Sequence, residues 1–221
     1  MNRDSLRSKD YFNKYIEGQR VRIEKFKDAL TKLDGNNEAK VKQCKRILAN
    51  LFRDIFVASY SNGLSKEELR SFFLEYCNFV KESSVDSYGE MVDILSIGIL
   101  LDCQEAIGWI NRVEAYEDSL SKGLKAYLFG HKSGNSFASN LKYPDYYRAF
   151  ADFLDGVTST SGFLNYAADE WYDSSVDMAW YNSHLKKEDI YVGYWCWLAA
   201  AALKMKGCSL ARARYVPSDL I

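Results

Sequence analysis

Between Ser5 and Leu33 apolar residues fall at Phe12, Tyr15, Ile16, Ile23, Phe26, Leu30 and Leu33, in steps of three and four with Gln19 the polar exception. This spacing predicts a long amphipathic helix. Its other face carries Arg7, Lys9, Lys14, Arg20, Arg22, Lys25 and Lys27, and the turn residues Asp34-Gly35-Asn36-Asn37 end it. Val41, Cys44, Ile47, Leu48, Leu51, Ile55 and Phe56 continue the helical period to Asn62-Gly63, which predicts an antiparallel helical hairpin. Ser65-Lys66-Glu67-Glu68 reads as a capping box, the serine oxygen taking a first-turn amide while the glutamate reaches back. The helix it opens runs to about Lys81, with Leu69, Phe72, Phe73, Tyr76 and Val80 inward. Ser87-Tyr88-Gly89-Glu90 repeats the device before Ile94–Leu101, which is apolar nearly all round and therefore central.

Further helices are predicted over Gln104–Ala115 and Ser119–Phe129. Gly130-His131-Lys132-Ser133-Gly134-Asn135-Ser136 is a loop by composition and marks a seam between a domain at 1–130 and one at 131–221. Beyond it the pattern predicts helices over Pro144–Leu154, over Ser161–Tyr181 with a break near Asp173-Ser174-Ser175, and over Ile190–Lys206. In the last, Ala199–Ala202 form a small-residue stripe that admits a close neighbour, and Gly207 is the stop. The apolar residues of Tyr215–Ile221 predict a tail packed back on the domain. There is no fixed-period repeat, so the expected fold is all-α, a multi-helix bundle of two packed helical halves.

Composition agrees with that reading. Only 2 Pro and 13 Gly in 221 residues leave few breakers for a β-sandwich, and 48% hydrophobic with 27% charged residues excludes wholesale disorder. The longest apolar stretches, Ile94–Leu101 and Val192–Leu203, fall short of the roughly 18 to 20 residues of a membrane span. Met1-Asn2-Arg3-Asp4-Ser5 opens without an apolar run, so a cytoplasmic protein without a secretory signal is expected. Five scattered cysteines without C-x-x-C spacing read as reduced thiols, and two distant histidines, His131 and His184, give no zinc spacing. No metal and no cofactor are expected.

Enzymatic signals are equally sparse. The glycines of 130–136 do not have phosphate-loop spacing, and no strand with Gly-Lys-Ser/Thr accompanies them. His184 has Asp177 and Asp189 within reach in sequence but no nucleophile motif beside it, and reads better as a helix-terminal histidine than as the centre of a hydrolase. Asp169 and Glu170 are adjacent, so on a helix they do not face each other as an acid/base pair. The aromatic series Trp171, Tyr172, Trp180, Tyr181, Tyr191, Tyr194, Trp195 and Trp197 has the rings to stack on bases. Its surroundings are acidic, however, so direct nucleic-acid binding is not expected, and core packing or a protein-contact surface remain the two readings.

Charge distribution changes the picture most. The net charge is −1, yet basic residues outnumber acidic ones nearly two to one over residues 1–50. Over 145–177 the acids Asp145, Asp152, Asp155, Asp169, Glu170, Asp173 and Asp177 face Arg148 alone. An acidic patch of this kind is either a solvated helix face or a surface complementary to a basic partner.

Four ordered pieces of the second half resemble the C-terminal domain of the PoNi-type immunity proteins: Glu170-Trp171-Tyr172; Trp180-Tyr181-Asn182-Ser183-His184; Tyr191 through Ala201, with Gly193, Tyr194, Trp195 and Ala200; and Tyr215-Val216-Pro217-Ser218-Asp219-Leu220-Ile221. The basic first helix and the Tyr60-Ser61-Asn62-Gly63 turn are similar to the N-terminal domain of that family, so the resemblance covers nearly the whole chain. Leu198, where an acidic residue is usual, and Val216, where a second tyrosine is usual, depart from the pattern. The resemblance implies a helical, non-enzymatic protein that neutralises a cognate antibacterial DNase toxin of the PoNe type, one delivered by a specialised secretion system. On that implication Asp145, Asp152, Asp155, Asp169, Asp173 and Asp177, with Tyr146 and Tyr147 as aromatic anchors, are the expected toxin contacts. Trp171, Tyr172, Gly193, Tyr194, Trp195, Ala200, Pro217, Asp219 and Leu220 are expected to define the fold. The aromatic second half also leaves room for a homodimer, and the alternative role is a helical interaction scaffold without a toxin partner, using the basic first hairpin.

Overall fold

The computed structural model describes residues 3–33, 37–131, 134–209 and 212–221; the predicted turn at Asp34-Gly35-Asn36, Lys132-Ser133 of the glycine loop, Met1-Asn2 and Leu210-Ala211 lie outside them. The fold is all-α, and among the described residues no strand occurs, only an isolated antiparallel bridge between Ala213 and Val216. The chain forms two units, Met1–Val85 with Asn182–Gly193, and Asp86–Tyr181 with Tyr194–Ile221.

In the first unit, helices α1 (Lys9–Lys32), α2 (Glu38–Asn62) and α3 (Lys66–Ser83) pack side by side, α2 against both neighbours. Ser8 caps α1 by accepting from Tyr11 N, and Phe12, Tyr15, Ile16 and Ile23 are buried on the predicted face. Gly63, with φ 92°, closes α2 in the left-handed region that glycine adopts without strain. The Arg3 guanidinium donates to the carbonyls of Tyr60 (2.9 Å) and Leu64 (2.8 Å), placing a cation at the negative end of α2. The predicted capping box of α3 is present in both directions, between Ser65 and Glu68.

The segment 182–193 closes this unit. Arg7 donates to the His184 carbonyl at 2.6 Å, Tyr11 Oη to the Tyr191 carbonyl at 2.9 Å and Ser61 Oγ to the Val192 carbonyl at 2.6 Å. The buried Asp4 carboxylate accepts from the amides of Leu6 and Arg7 and from the Tyr191 hydroxyl, so each of its oxygens is used.

In the second unit, α4 (Tyr88–Leu101) is buried on nearly every side and packs on α5 (Ser119–Leu128) and α8 (Trp197–Met205). Ser87 caps α4, but Glu90 reaches back one residue further than the box requires and accepts from Asp86 N at 2.7 Å. Lys204 donates to the carbonyls of Ile99 and Leu100 and to Asp102, satisfying the otherwise open C-terminus of α4. Asp118 is the polar hub of the unit. Its carboxylate caps α5 through Ser121 N and also accepts from the Tyr88 hydroxyl at 2.7 Å and Lys142 N at 3.0 Å. The stripe Ala199–Ala202 is completely buried in α8, which packs on α4 and α6 (Pro144–Leu154). In the tail, Tyr215, Val216, Pro217 and Leu220 are buried, as the sequence predicts. The glycine loop, where described, belongs to this second unit.

Three predicted helices are shorter than their periodicity suggests. Over 104–115 there is only a 3₁₀ turn, Gly108–Arg112, and the three-residue spacing of the buried Ile107 and Ile110, which suits 3₁₀ and α geometry alike, does not separate the two in sequence. Over 161–181, α7 (Thr160–Asn165) gives way to a widened π turn at Tyr166–Glu170 and a 3₁₀ turn at Asp173–Ser175. Here the hydroxyls of Ser174 and Ser175 both donate to the Trp171 carbonyl at 2.9 Å and compete with the helical ladder. Over 190–206, α8 begins only at Trp197, because Gly193 has φ 122° and Cys196 N donates to the Tyr215 carbonyl at 2.8 Å instead of entering a helix. Gly193, Tyr194 and Trp195 therefore lie in irregular chain rather than on a buried helix.

Candidate functional site

The acidic residues singled out in the sequence all lie in the second unit, on α6 and on the irregular segment that follows α7. Asp145 is exposed in the first turn of α6, beside the exposed Tyr146. Asp152, two turns further, is half-buried and lies 3.9 Å from Arg148. Asp155 ends the helix and works within the protein: its carboxylate accepts from Ser136 Oγ (2.6 Å), Phe137 N (2.8 Å) and Ala138 N (3.0 Å). Burial pushes the Asp155 carboxyl up, but these three hydrogen bonds and the nearby Lys206 outweigh it and leave the group below its ordinary value. Asp169, Glu170, Asp173 and Asp177 are all exposed, and among the described residues none of the four enters an ion pair.

Tyr147 differs from its neighbour Tyr146. Its ring is half-buried, edge-on to Tyr88 at 5.0 Å and tilted against Phe150 at 6.4 Å. Burial, reinforced by Asp93, pushes its hydroxyl up. The helical period of α6 already carries that placement, because Tyr147, Phe150, Ala151 and Leu154 share one face.

Six of the motif rings, Trp171, Tyr172, Trp180, Tyr181, Tyr194 and Tyr215, gather into one aromatic cluster. Trp171 stacks on Trp180 at 5.6 Å, and Tyr172 stacks on Tyr181 at 4.6 Å and on Tyr215 at 5.2 Å. Tyr194 joins through Tyr172 (4.8 Å) and Trp180 (5.5 Å), and Arg214 lies over the Tyr215 ring at 4.6 Å. Tyr194, Ala200, Pro217 and Leu220 are buried, Trp171, Tyr172, Gly193 and Trp195 are half-buried, and Asp219 is exposed in the last 3₁₀ turn. One edge of the cluster reaches water. Val176, Asp177, Met178, Ala179 and Trp180 are exposed in succession, a surface that the sequence pattern gives no means of separating from helix packing.

His184 sits edge-on to Tyr191 at 6.0 Å while its own carbonyl holds Arg7, and Asp189 is 3.6 Å from Lys14. Among the described residues no group of three or more His, Cys, Asp or Glu is placed to hold a metal ion, and no helix is long and apolar enough to cross a membrane. A cavity of about 260 Å³ is lined by Gly123, Tyr127, His131, Phe137, Leu154, Met205 and Lys206, with the Lys206 ammonium donating to the Leu154 carbonyl. The arrangement suits binding: a negatively charged surface beside a rigid aromatic cluster.

Two family models match the chain. The one described as "PoNe immunity protein (PoNi), N-terminal" matches residues 3–109, and "PoNe immunity proteins (PoNi), C-terminal" matches residues 116–220. No curated protein and no solved structure matches it.

Proposed function

The chain belongs to the PoNi family of PoNe immunity proteins, and from that premise we propose that it binds and neutralises a cognate PoNe-type DNase toxin by occluding its active or DNA-binding site. The match to both family models is the observation that carries this reading. Its setting is the cytoplasm of the producing cell, and its action is stoichiometric binding, without catalysis.

A nuclease presents cationic groups to the phosphate backbone of its substrate. The exposed carboxylates Asp145, Asp169, Glu170, Asp173 and Asp177 offer the opposite charge on one unit, which supports competition for that surface. In a plasmid-nicking assay the toxin's nuclease domain degrades DNA alone and leaves it intact with an equimolar amount of this protein. Undiminished degradation at tenfold excess overturns the proposal.

The exposed basic side chains of α1, Lys9, Lys14, Arg20, Arg22 and Lys25, favour a second reading, a scaffold for an acidic partner. Retention of DNA by the purified protein that weakens with salt supports it with nucleic acid as that partner; no retention at low salt removes nucleic acid from it.

A further inference from the structure

The exposed run Val176–Trp180 is an unusual stretch of surface. Val176 is 60% exposed, Met178 and Trp180 each 37%, and Asp177 and Ala179 between them also face water, so four of five successive exposed residues are apolar. A consecutive exposed apolar run works against solubility unless a partner covers it.

This run is also held in place. Ser175 is buried and its hydroxyl donates to the Trp171 carbonyl, Met178 N donates to the Ser175 carbonyl at 2.9 Å, and Tyr181 N to the Met178 carbonyl at 2.9 Å. The Trp180 ring stands on Trp171, Tyr172 and Tyr194. An anchor already fixed by its own protein loses little side-chain entropy on binding, and tryptophan is among the residues that dominate interface energies.

Charge around the run decides the partner. Asp169, Glu170, Asp173 and Asp177 precede it or lie within it, all exposed, while Arg214 is engaged over Tyr215. A second copy meeting the same face across a two-fold axis would set these carboxylates against themselves. A surface with an apolar pocket and a basic rim meets no such penalty.

We propose that Val176, Met178 and Trp180, rimmed by Asp169, Glu170, Asp173 and Asp177, form the docking surface for a basic protein surface bearing an apolar pocket. This rests on the toxin-neutralising reading and names the toxin as that partner. Asp152 and Asp155 lie outside the contact, because Arg148 and the 136–138 loop already employ them.

The test measures affinity and rates of the full chain against the toxin's nuclease domain. Replacing Val176→Lys together with Met178→Lys keeps side-chain length at the partly buried methionine and puts two cations into the contact. Affinity falls by about 100-fold, chiefly through faster dissociation, while Glu75→Lys, an exposed charge reversal on α3, changes it less than about threefold. The wild-type complex also shows slowed amide exchange over 173–181, an observation that needs no variant. A double variant that binds within threefold of wild type, or exchange slowed only elsewhere, overturns the docking surface while toxin neutralisation stands. A wild-type chain that does not bind the toxin overturns both. A wild-type dimer that the double variant abolishes makes a second copy the occupant and also overturns the proposal.

Discussion

Asp155 shows how one side chain acquires a structural role that its sequence context does not announce. It ends α6, where a carboxylate near the negative end of a helix dipole is unfavourable, and three donors from the 136–138 loop compensate. Burial acts to raise its carboxyl and the hydrogen bonds lower it below the ordinary aspartate value of about 3.9. A group depressed on folding contributes stability that is present above its unfolded value and lost as pH falls through its folded one. The amide resonances of Phe137 and Ala138 are therefore expected to hold steady from neutral pH down to the ordinary carboxylate range and to shift together below it. Asp155→Asn removes that acid transition because a carboxamide does not titrate, and it weakens the loop contact because the amide accepts at one oxygen and turns an NH2 toward a donor. It costs about 1 kcal/mol in urea unfolding, a figure reduced for the group's exposure, with toxin affinity unchanged. An acid transition that survives in Asp155→Asn assigns the loop's pH response to another group.

At the scale of elements, α1 to α6 lie close to their predicted spans, while the segments 104–115, 161–181 and 190–206 depart from theirs. α1, α2 and α3 combine an amphipathic face with a cap, as at Ser8, Gly63 and Ser65, and each observed helix covers most of its predicted span. The chain before α8 has apolar residues throughout 191–196, and periodicity alone read them as helix. What it could not show is that the Cys196 amide is taken by Tyr215, nineteen positions away, and that Gly193 stands at φ 122°. Gly193→Ala places a Cβ where L residues are strained and is expected to lower unfolding stability by about 2 kcal/mol. Gly18→Ala, inside α1 with no atom within 4 Å of the added Cβ, is expected to raise it by about 0.5–1 kcal/mol. Urea midpoints of the two variants must move in opposite directions; a neutral Gly193→Ala would mean that an alanine relaxes into the turn. The candidate site was legible to a similar degree. Exposure of Asp145, Asp169, Asp173 and Asp177 followed from their polarity, whereas Tyr147 went inward with the face of α6 and the run 176–180 went outward against its own hydropathy. That last reversal depends on Trp171, Tyr172, Tyr194 and Tyr215 filling the space beneath it, a contact among distant residues with no local signature.

For the whole molecule, a net charge of −1 conceals two fields of opposite sign, because the basic face of α1 belongs to one unit and the acids of α6 and 169–177 to the other. Net charge governs solubility, but encounter with a charged partner depends on the local potential, which salt screens over roughly 8 Å at physiological ionic strength. If the acidic unit meets the toxin, association quickens as salt is lowered, although the chain as a whole is almost neutral. Reversing Asp169, Asp173 and Asp177 to lysine should slow association at least about tenfold at low salt and flatten its salt dependence, with a much smaller change in dissociation. The apolar residues of the run 176–180 answer differently, since contacts buried only after docking act mainly on dissociation. Stopped-flow association across a salt series, run on the charge-reversed chain and on Val176→Lys with Met178→Lys, separates the two contributions. Steering by the acids predicts a loss of on-rate in the first variant and a larger gain in off-rate in the second. Equal salt slopes for wild type and the charge-reversed chain would move the encounter surface off the acidic segment.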